Sequence, residues 1–312
     1  MKKSISIFIS LLLCLPLLLC GAFFVFNINF AKAEEIVVPL YNNDDFIRTI
    51  NEYNSTGDAG ATRTYILQED IDVSSLLDGK ITGMFGTASL PFAGTFDGNG
   101  HTISNLNINI TLTADSNTFL YAGLFGYTNG ATIKNLHISG LNITINGEAN
   151  NSLSSVYAGL VGFASNTTIS NTQISGNYSV DVPKSDELAF GGLVGQANNT
   201  TIENCYITSS MSIDVIEGYT EDNEAIAGNF NMLTYGGLVG QMNNSTLKNA
   251  IVRPTSAINL NLSNIYRTTS VIGGVVGNLN SSSVQFVLGA QNLNVDIDEN
   301  YNGNTFIGGI AG

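Results

Sequence analysis

The phrase "YGGLVG" (Tyr235–Gly240) sets three glycines around a Leu-Val pair, an arrangement able to cradle a phosphate. A phosphate loop also needs Lys and then Ser or Thr directly after its last glycine, because the ammonium and the hydroxyl meet the phosphates and their magnesium. Here Gly195 is followed by Gln196-Ala197 and Gly240 by Gln241-Met242, which excludes that chemistry. The dinucleotide fingerprint fails too, since no strand–glycine–helix unit follows. "FDGNGH" (Phe96–His101) has the opening of a calcium loop. Counted from Asp97, however, the sixth position is Thr102 instead of Gly and the twelfth is Ile108 instead of Glu. No Asp follows the glycines at β-roll spacing. The residues around Gly98–Gly100 therefore predict a tight turn.

Histidine and cysteine chemistry is also sparse. His101 precedes a predicted strand, and His137 alternates with Leu136 and Ile138, which places it in solvent. Neither opens H-E-x-x-H, so this segment holds no zinc-peptidase site. Cys205 aligns with Leu106, Leu136, Ala250 and Val287 in the repeats described below, as a small buried residue would. The stretch Asp214–Asn231 carries Asp214, Glu217, Glu221, Asp222 and Glu224 without a basic residue. A solvated loop and a cation or ligand site both fit it. No cofactor, metal or catalytic residue is predicted.

The glycine phrase recurs as "YAGLFG" (121–126), "YAGLVG" (157–162), "FGGLVG" (190–195), "IGGVVG" (272–277) and "IGGIAG" (307–312). Equivalent glycines step by 36, 33, 45, 37 and 35 residues, a repeat array whose variable step marks an insertable loop in each unit. A short Asn/Ser/Thr turn leads to "TIKNLHI" (132–138), "TISNTQI" (168–174), "TIENCYI" (201–207), "TLKNAIV" (246–252) and "SVQFVLG" (283–289), with an earlier copy "TISNLNI" (102–108). A third alternating segment follows, as in "LNITI" (141–145) and "MSIDV" (211–215). Three short strands per unit predict solenoid coils.

These phrases, "GGLVG" followed by "TIxN", resemble the GLUG-motif repeats of bacterial surface and secreted proteins from about residue 65 to 312. The lead-in "FAGTFDGNGHTISNLNI" is similar to the first coil of such proteins. The resemblance implies an all-β fold, a right-handed parallel β-helix-like solenoid of three-strand coils. The last copies depart from it, with Val275 and Ile310 for Leu and Phe286 for Asn.

Stacking should then align Leu124, Leu160, Leu193, Leu238, Val275 and Ile310 in one apolar column, since each coil can bury that face only against its neighbours. Gly123, Gly126, Gly159, Gly162, Gly192, Gly195, Gly237, Gly240, Gly274 and Gly277 fit sharp turns or close backbone approach. Phe125, Val161, Val194 and Val239 point either inward or into an outer groove. Asn105, Asn135, Asn171, Asn204 and Asn249 predict a ladder of amides at one turn position. Lys134, Glu203 and Lys248 share a position with Ser104, Ser170 and Gln285, as on an outward face. Residues 34–90 lack the repeat. Within them Phe46, Ile47, Ile50 and Tyr53 form one face of a capping helix, with Asn43 or Asp44 as N-cap, and 64–73 reads as the first strand.

The N-terminus opens Met1-Lys2-Lys3, runs apolar from Ile5 to Ile28 and reaches Ala31-Lys32-Ala33, a secretory leader over residues 1–33 with an uncleaved signal anchor as the rival. Cleavage removes three of the 11 basic residues and none of the 25 acidic ones, leaving a net charge of −17. Such a surface repels nucleic acid and anionic membranes. Cys205 would be the sole remaining cysteine, so no internal disulfide can form.

The expectation is a secreted or cell-surface repeat domain without catalysis, used for adhesion or ligand display, covering residues 91–312 and continuing into further domains beyond Gly312. A host matrix protein or glycan is the expected partner. The longest insertion, Ile216–Thr234, is the candidate binding loop through Glu217, Tyr219, Glu221, Asp222, Glu224 and Phe230. The alternative is a polysaccharide-active β-helix enzyme, a lyase or glycosidase, which would need carboxylate pairs on adjacent coils.

Overall fold

The computed structural model describes residues 35–56, 63–74, 85–111, 120–146, 154–175, 177–183, 187–216, 232–254, 258–262, 269–289, 292–297 and 304–312. The predicted leader lies outside the described residues, as do Glu217, Tyr219, Glu221, Asp222, Glu224 and Phe230.

Parallel strands stacked coil upon coil make a β-solenoid, with one short helix near the N-terminus. The coil that starts at Glu187 runs through Glu187–Gly191, Val194–Asn198, Thr201–Ile207 and Ser210–Ile216. Each of these belongs to a different sheet, called here the tyrosine, valine, asparagine and fourth sheets. The coil thus has four strands where the sequence pattern suggests three, because the phrase "FGGLVG" is not one strand. Phe190 and Gly191 end the tyrosine strand, Gly192 and Leu193 turn the corner, and Val194 opens the valine strand. A Cβ on Gly191 would collide with the carbonyl of Val194, so the corner closes only without one.

The corner also contributes to the core. Leu124, Leu160, Leu193, Leu238 and Val275 are buried, and their backbones continue the ladder, with Leu193 N donating to Leu238 O at 2.9 Å and Leu238 N to Val275 O at 2.9 Å. Ile310 departs from the expected column: it is 39% exposed, at the chain's final corner. Phe125, Val161, Val194 and Val239 point inward and are fully buried. Each such side chain contributes about 1.5–3 kcal/mol of apolar burial, and only neighbouring coils supply the surface.

The asparagine sheet holds the turn positions. Asn135, Asn171, Asn204 and Asn249 take φ between 51° and 54°, the left-handed region that Asn tolerates. Asn171 Nδ2 donates to Asn135 Oδ1 at 3.1 Å, and Asn249 Nδ2 to Asn204 Oδ1 at 3.2 Å. Asn105 shares the conformation but not the position. Thr95–Asp97 stacks on Thr132–Lys134, whereas Thr102–Ser104 stacks one strand further on, against His137–Ser139. The first coils thus form two short branches that merge in the continuous strand Thr168–Ser175. The break comes at the turn where Asn99 and Gly100 have φ of 52° and 82°. Asp97, not Ser104, consequently joins the column Lys134–Ser170–Glu203–Lys248–Gln285.

A second column lies inside the preceding turn. Thr128 and Thr167 hydroxyls meet at 2.9 Å, Thr200 N donates to Ser245 Oγ at 3.0 Å, and Ser245 N to Ser282 Oγ at 2.9 Å. These hydroxyls, buried except for the half-buried Ser282, satisfy backbone groups that the turn takes out of the ladder.

The helix Asn43–Thr56 buries Phe46, Thr49, Ile50 and Tyr53. Its cap is Asn42, whose Oδ1 accepts from Asp45 N at 2.9 Å, one residue before the expected Asn43. Ile36–Leu40 precedes it and pairs with Arg63–Leu67, so 64–73 is not the first strand. The rings of Phe46 and Tyr53 lie 5.9 and 6.2 Å from that of Phe85, closing the aromatic start of the core. Among the described residues no helix is long and apolar enough to cross a membrane.

Candidate functional site

The corner glycines do more than turn the chain. Gly123, Gly159, Gly192, Gly237 and Gly274 sit at the corner, while Gly126, Gly162, Gly195, Gly240 and Gly277 lie second in the valine strands. A Cβ on Gly240 would stand 2.5 Å from Gly195 O and 2.7 Å from Phe190 O. The tyrosine and valine sheets therefore nearly touch at this point, on the side away from the core. Their outer faces diverge from there and enclose a groove of about 310 Å³.

Two columns line it. On the tyrosine sheet the register stacks Tyr121, Val156, Ala189 and Thr234. On the valine sheet it stacks Phe163, Gln196 and Gln241, and the same column continues beyond the groove to Tyr127 on one side and Asn278 on the other. Valine-strand pairing omits the glycine, matching Val161 to Val194 and Phe163 to Gln196, which lets Val161 and Ala164 face the core while Phe163 faces out.

The groove changes character along its length. At one end Tyr127 and Phe163 stack at 4.7 Å and 20°, with Tyr121 steeply inclined to both, at 83° and 64°. Burial, and then the neighbouring Tyr127, raises the Tyr121 phenol above its ordinary value, so it stays a neutral donor. Further along come the amides Gln196, Asn198 and Gln241. Glu187 is the one acidic residue lining the groove among the described residues.

A second polar group lies on the asparagine sheet. His137 is half-buried, not in open solvent as its alternation suggests: its Nε2 lies 2.9 Å from Ser175 Oγ and its Nδ1 3.3 Å from Thr102 Oγ1. Desolvation lowers its pKa from the ordinary value, against the opposing pull of Asp70. Asp70 Oδ1 accepts from Thr102 N at 2.8 Å and lies 3.3 Å from His101 Nδ1. Lys134 pairs with Asp97 at 3.2 Å. Cys205 is fully buried, and burial pushes its thiol up to about 12, which removes it as a nucleophile at neutral pH.

Of the residues singled out from the sequence, Gly123, Leu124 and their equivalents lie at the corner, and Gly126 and its equivalents lie in the adjoining valine strands. Residues 217–231 of the acidic insertion are outside the described residues; its two ends belong to strands, Ser210–Ile216, where Asp214 pairs in register with Asp181 and Asn261, and Met232–Gly236. The groove residues Tyr121, Phe163, Gln196 and Gln241 were not singled out as a binding site. For Phe163, Gln196 and Gln241 the signal is the recurring Gly-x pair at the end of each glycine phrase, "GY", "GF", "GQ", "GQ", "GN".

A family model described as "The GLUG motif" matches residues 186–213, the coil of Phe190 and Leu193. No curated protein matches the chain. Among solved structures, a protein provisionally described as an immunoglobulin A1 protease from Bacteroides ovatus is 16% identical, over 88% of this chain and 83% of its own, with a TM-score of 0.42. A second, described as "IgA1 Protease", is also 16% identical, with a TM-score of 0.44; the match covers 86% of this chain but only 21% of that one. At such scores neither bears on this chain's activity.

Proposed function

We propose that this chain, which carries a GLUG motif at residues 186–213, is a non-catalytic scaffold, exported from the cell, that binds its partner along the outer groove. The observation that carries this reading is the groove's continuity. Three successive coils contribute Phe163, Gln196 and Gln241 at one register position, each held on a strand paired on both sides. That is a rigid, pre-formed surface, and pre-formed surfaces lose little entropy on binding. Cleaving a sugar bond by the usual route takes two carboxyl groups facing each other across it. Glu187 lines the groove without a carboxyl group opposite among the described residues.

The alternative, a polysaccharide-active enzyme, has one contact in its favour: a histidine within hydrogen-bond reach of a serine, His137 and Ser175. The third member of that line is the neutral Thr102, and the site lies on a different sheet from the groove. A polar ladder on an outer face accounts for it.

The test is to express the full chain and measure two things together. Attachment to surfaces coated with matrix protein or glycan should be saturable, and no reducing ends or unsaturated products should be released. The exported protein should begin at Glu34. Product release overturns the non-catalytic reading, and an intact Met1 on membrane-bound protein overturns export with cleavage.

A further inference from the structure

We propose that the groove's ligand is an uncharged polysaccharide, lying as an extended chain along the solenoid axis. This rests on the scaffold reading and names what the scaffold holds. Spacing is the first argument. Rungs of a parallel ladder repeat at about 4.8 Å, close to the length that one pyranose adds to an extended chain. Within the groove the column runs from Phe163 through Gln196 to Gln241, two steps or about 10 Å, so three successive sugars can each face a rung.

The second argument is chemical. Tyr127 and Phe163 stack from coil to coil, so the plane of Tyr121, inclined steeply to both, runs along the stacking direction. That plane suits the C–H face of a sugar ring lying along the groove. Gln196 and Gln241 each present donors and an acceptor, which matches hydroxyl groups that do both. No basic residue lines the groove among the described residues, Glu187 does, and the chain's net charge is −14. A uronate or sulfated polymer would be repelled. An extended peptide would need a free strand edge for its backbone, and the groove strands of Val156, Phe163, Ala189, Gln196, Thr234 and Gln241 are paired on both sides, with only that of Tyr121 at the end of its sheet.

Calorimetry on the full chain tests this with cellohexaose and mannohexaose as neutral probes and hexagalacturonate as the charged one. At least one neutral probe should bind, and more tightly than hexagalacturonate. Tyr121→Ala and Gln241→Ala should each lower the affinity about threefold to tenfold, and Gln241→Ala should do so at an unchanged melting temperature. Hexagalacturonate binding as tightly as the neutral probes, Gln241→Ala binding like the parent, or no binding of any probe would overturn the proposal. If the chain attaches to coated surfaces yet binds no neutral glycan, the ligand class fails and the scaffold reading stands. If a neutral probe binds and is cleaved, the scaffold reading fails and the ligand class stands.

Discussion

Phe190 and Tyr235 occupy the same place in successive coils, with rings 2° from parallel and centroids 5.7 Å apart. The pair shows how this solenoid holds together: equivalent residues meet their own counterparts. Both are buried, yet only Tyr235 carries a hydroxyl, whose hydrogen-bond partner is the Met211 sulfur at 3.8 Å. Sulfur is a weak acceptor, so the hydroxyl is poorly compensated for leaving water.

Tyr235→Phe should therefore be neutral or stabilising by up to about 1 kcal/mol, since position 190 already works as Phe. Tyr235→Ala should cost about 3–5 kcal/mol by leaving a cavity between coils. Urea denaturation of both variants checks this. A Phe variant clearly less stable than the parent would show that the hydroxyl has a stronger partner.

Periodicity made the solenoid legible, because stacking forces like residues into columns and columns show as repeats. The corner was not legible. Gly191, Gly192 and Leu193 sit inside one unbroken apolar phrase, and nothing in its alternation marks where one sheet ends. Asn105 misled for the opposite reason. Its phrase is identical to a repeat phrase, but the Asp97–Gly100 turn delays it by one strand. The groove escaped notice because Gln196 and Gln241 look like any exposed amides until the register stacks them beneath Phe163.

Phe286 is the departure with a measurable cost. It takes the place of Asn249 in the next coil and adopts φ of 52°, with 79% of its surface exposed. A bulky L residue in the left-handed region is strained by about 1–2 kcal/mol, and exposed Phe gains little in return. Phe286→Asn should raise stability by about 1 kcal/mol and allow an amide contact to Asn249. An unchanged urea midpoint would show that the strain is already relieved.

Cys205 gives a pH signature. Its folded thiol is raised from 9.0 to about 12, chiefly by burial, so the unfolded chain loses its proton first. The stability that this group contributes is complete below pH 9 and is lost as pH rises towards 12. Cys205→Ala should flatten the fall in melting temperature over that window and leave the curve below pH 8 parallel to that of the parent. Equal slopes for the two proteins between pH 9 and 11 would contradict the burial of the thiol.

The repeat glycines make the most severe prediction. Gly240 lies where the two sheets converge, and an added methyl would meet Gly195 O at 2.5 Å and Phe190 O at 2.7 Å. Both obstacles are backbone atoms, held by ladders on either side, so neither can rotate away as a side chain would. Gly240→Ala must push the tyrosine and valine sheets apart or break coil pairing, and overpacking of this kind costs about 1–3 kcal/mol or more. Gly309 is the control, since nothing lies within 4 Å of its added methyl and its φ is not in the left-handed region. Gly309→Ala should leave the melting temperature unchanged. The groove opens directly beyond Gly240, so the damaged variant should also bind its ligand less well than its remaining folded fraction allows. A Gly240→Ala protein as stable as Gly309→Ala would mean that the sheets do not approach as closely as the register requires.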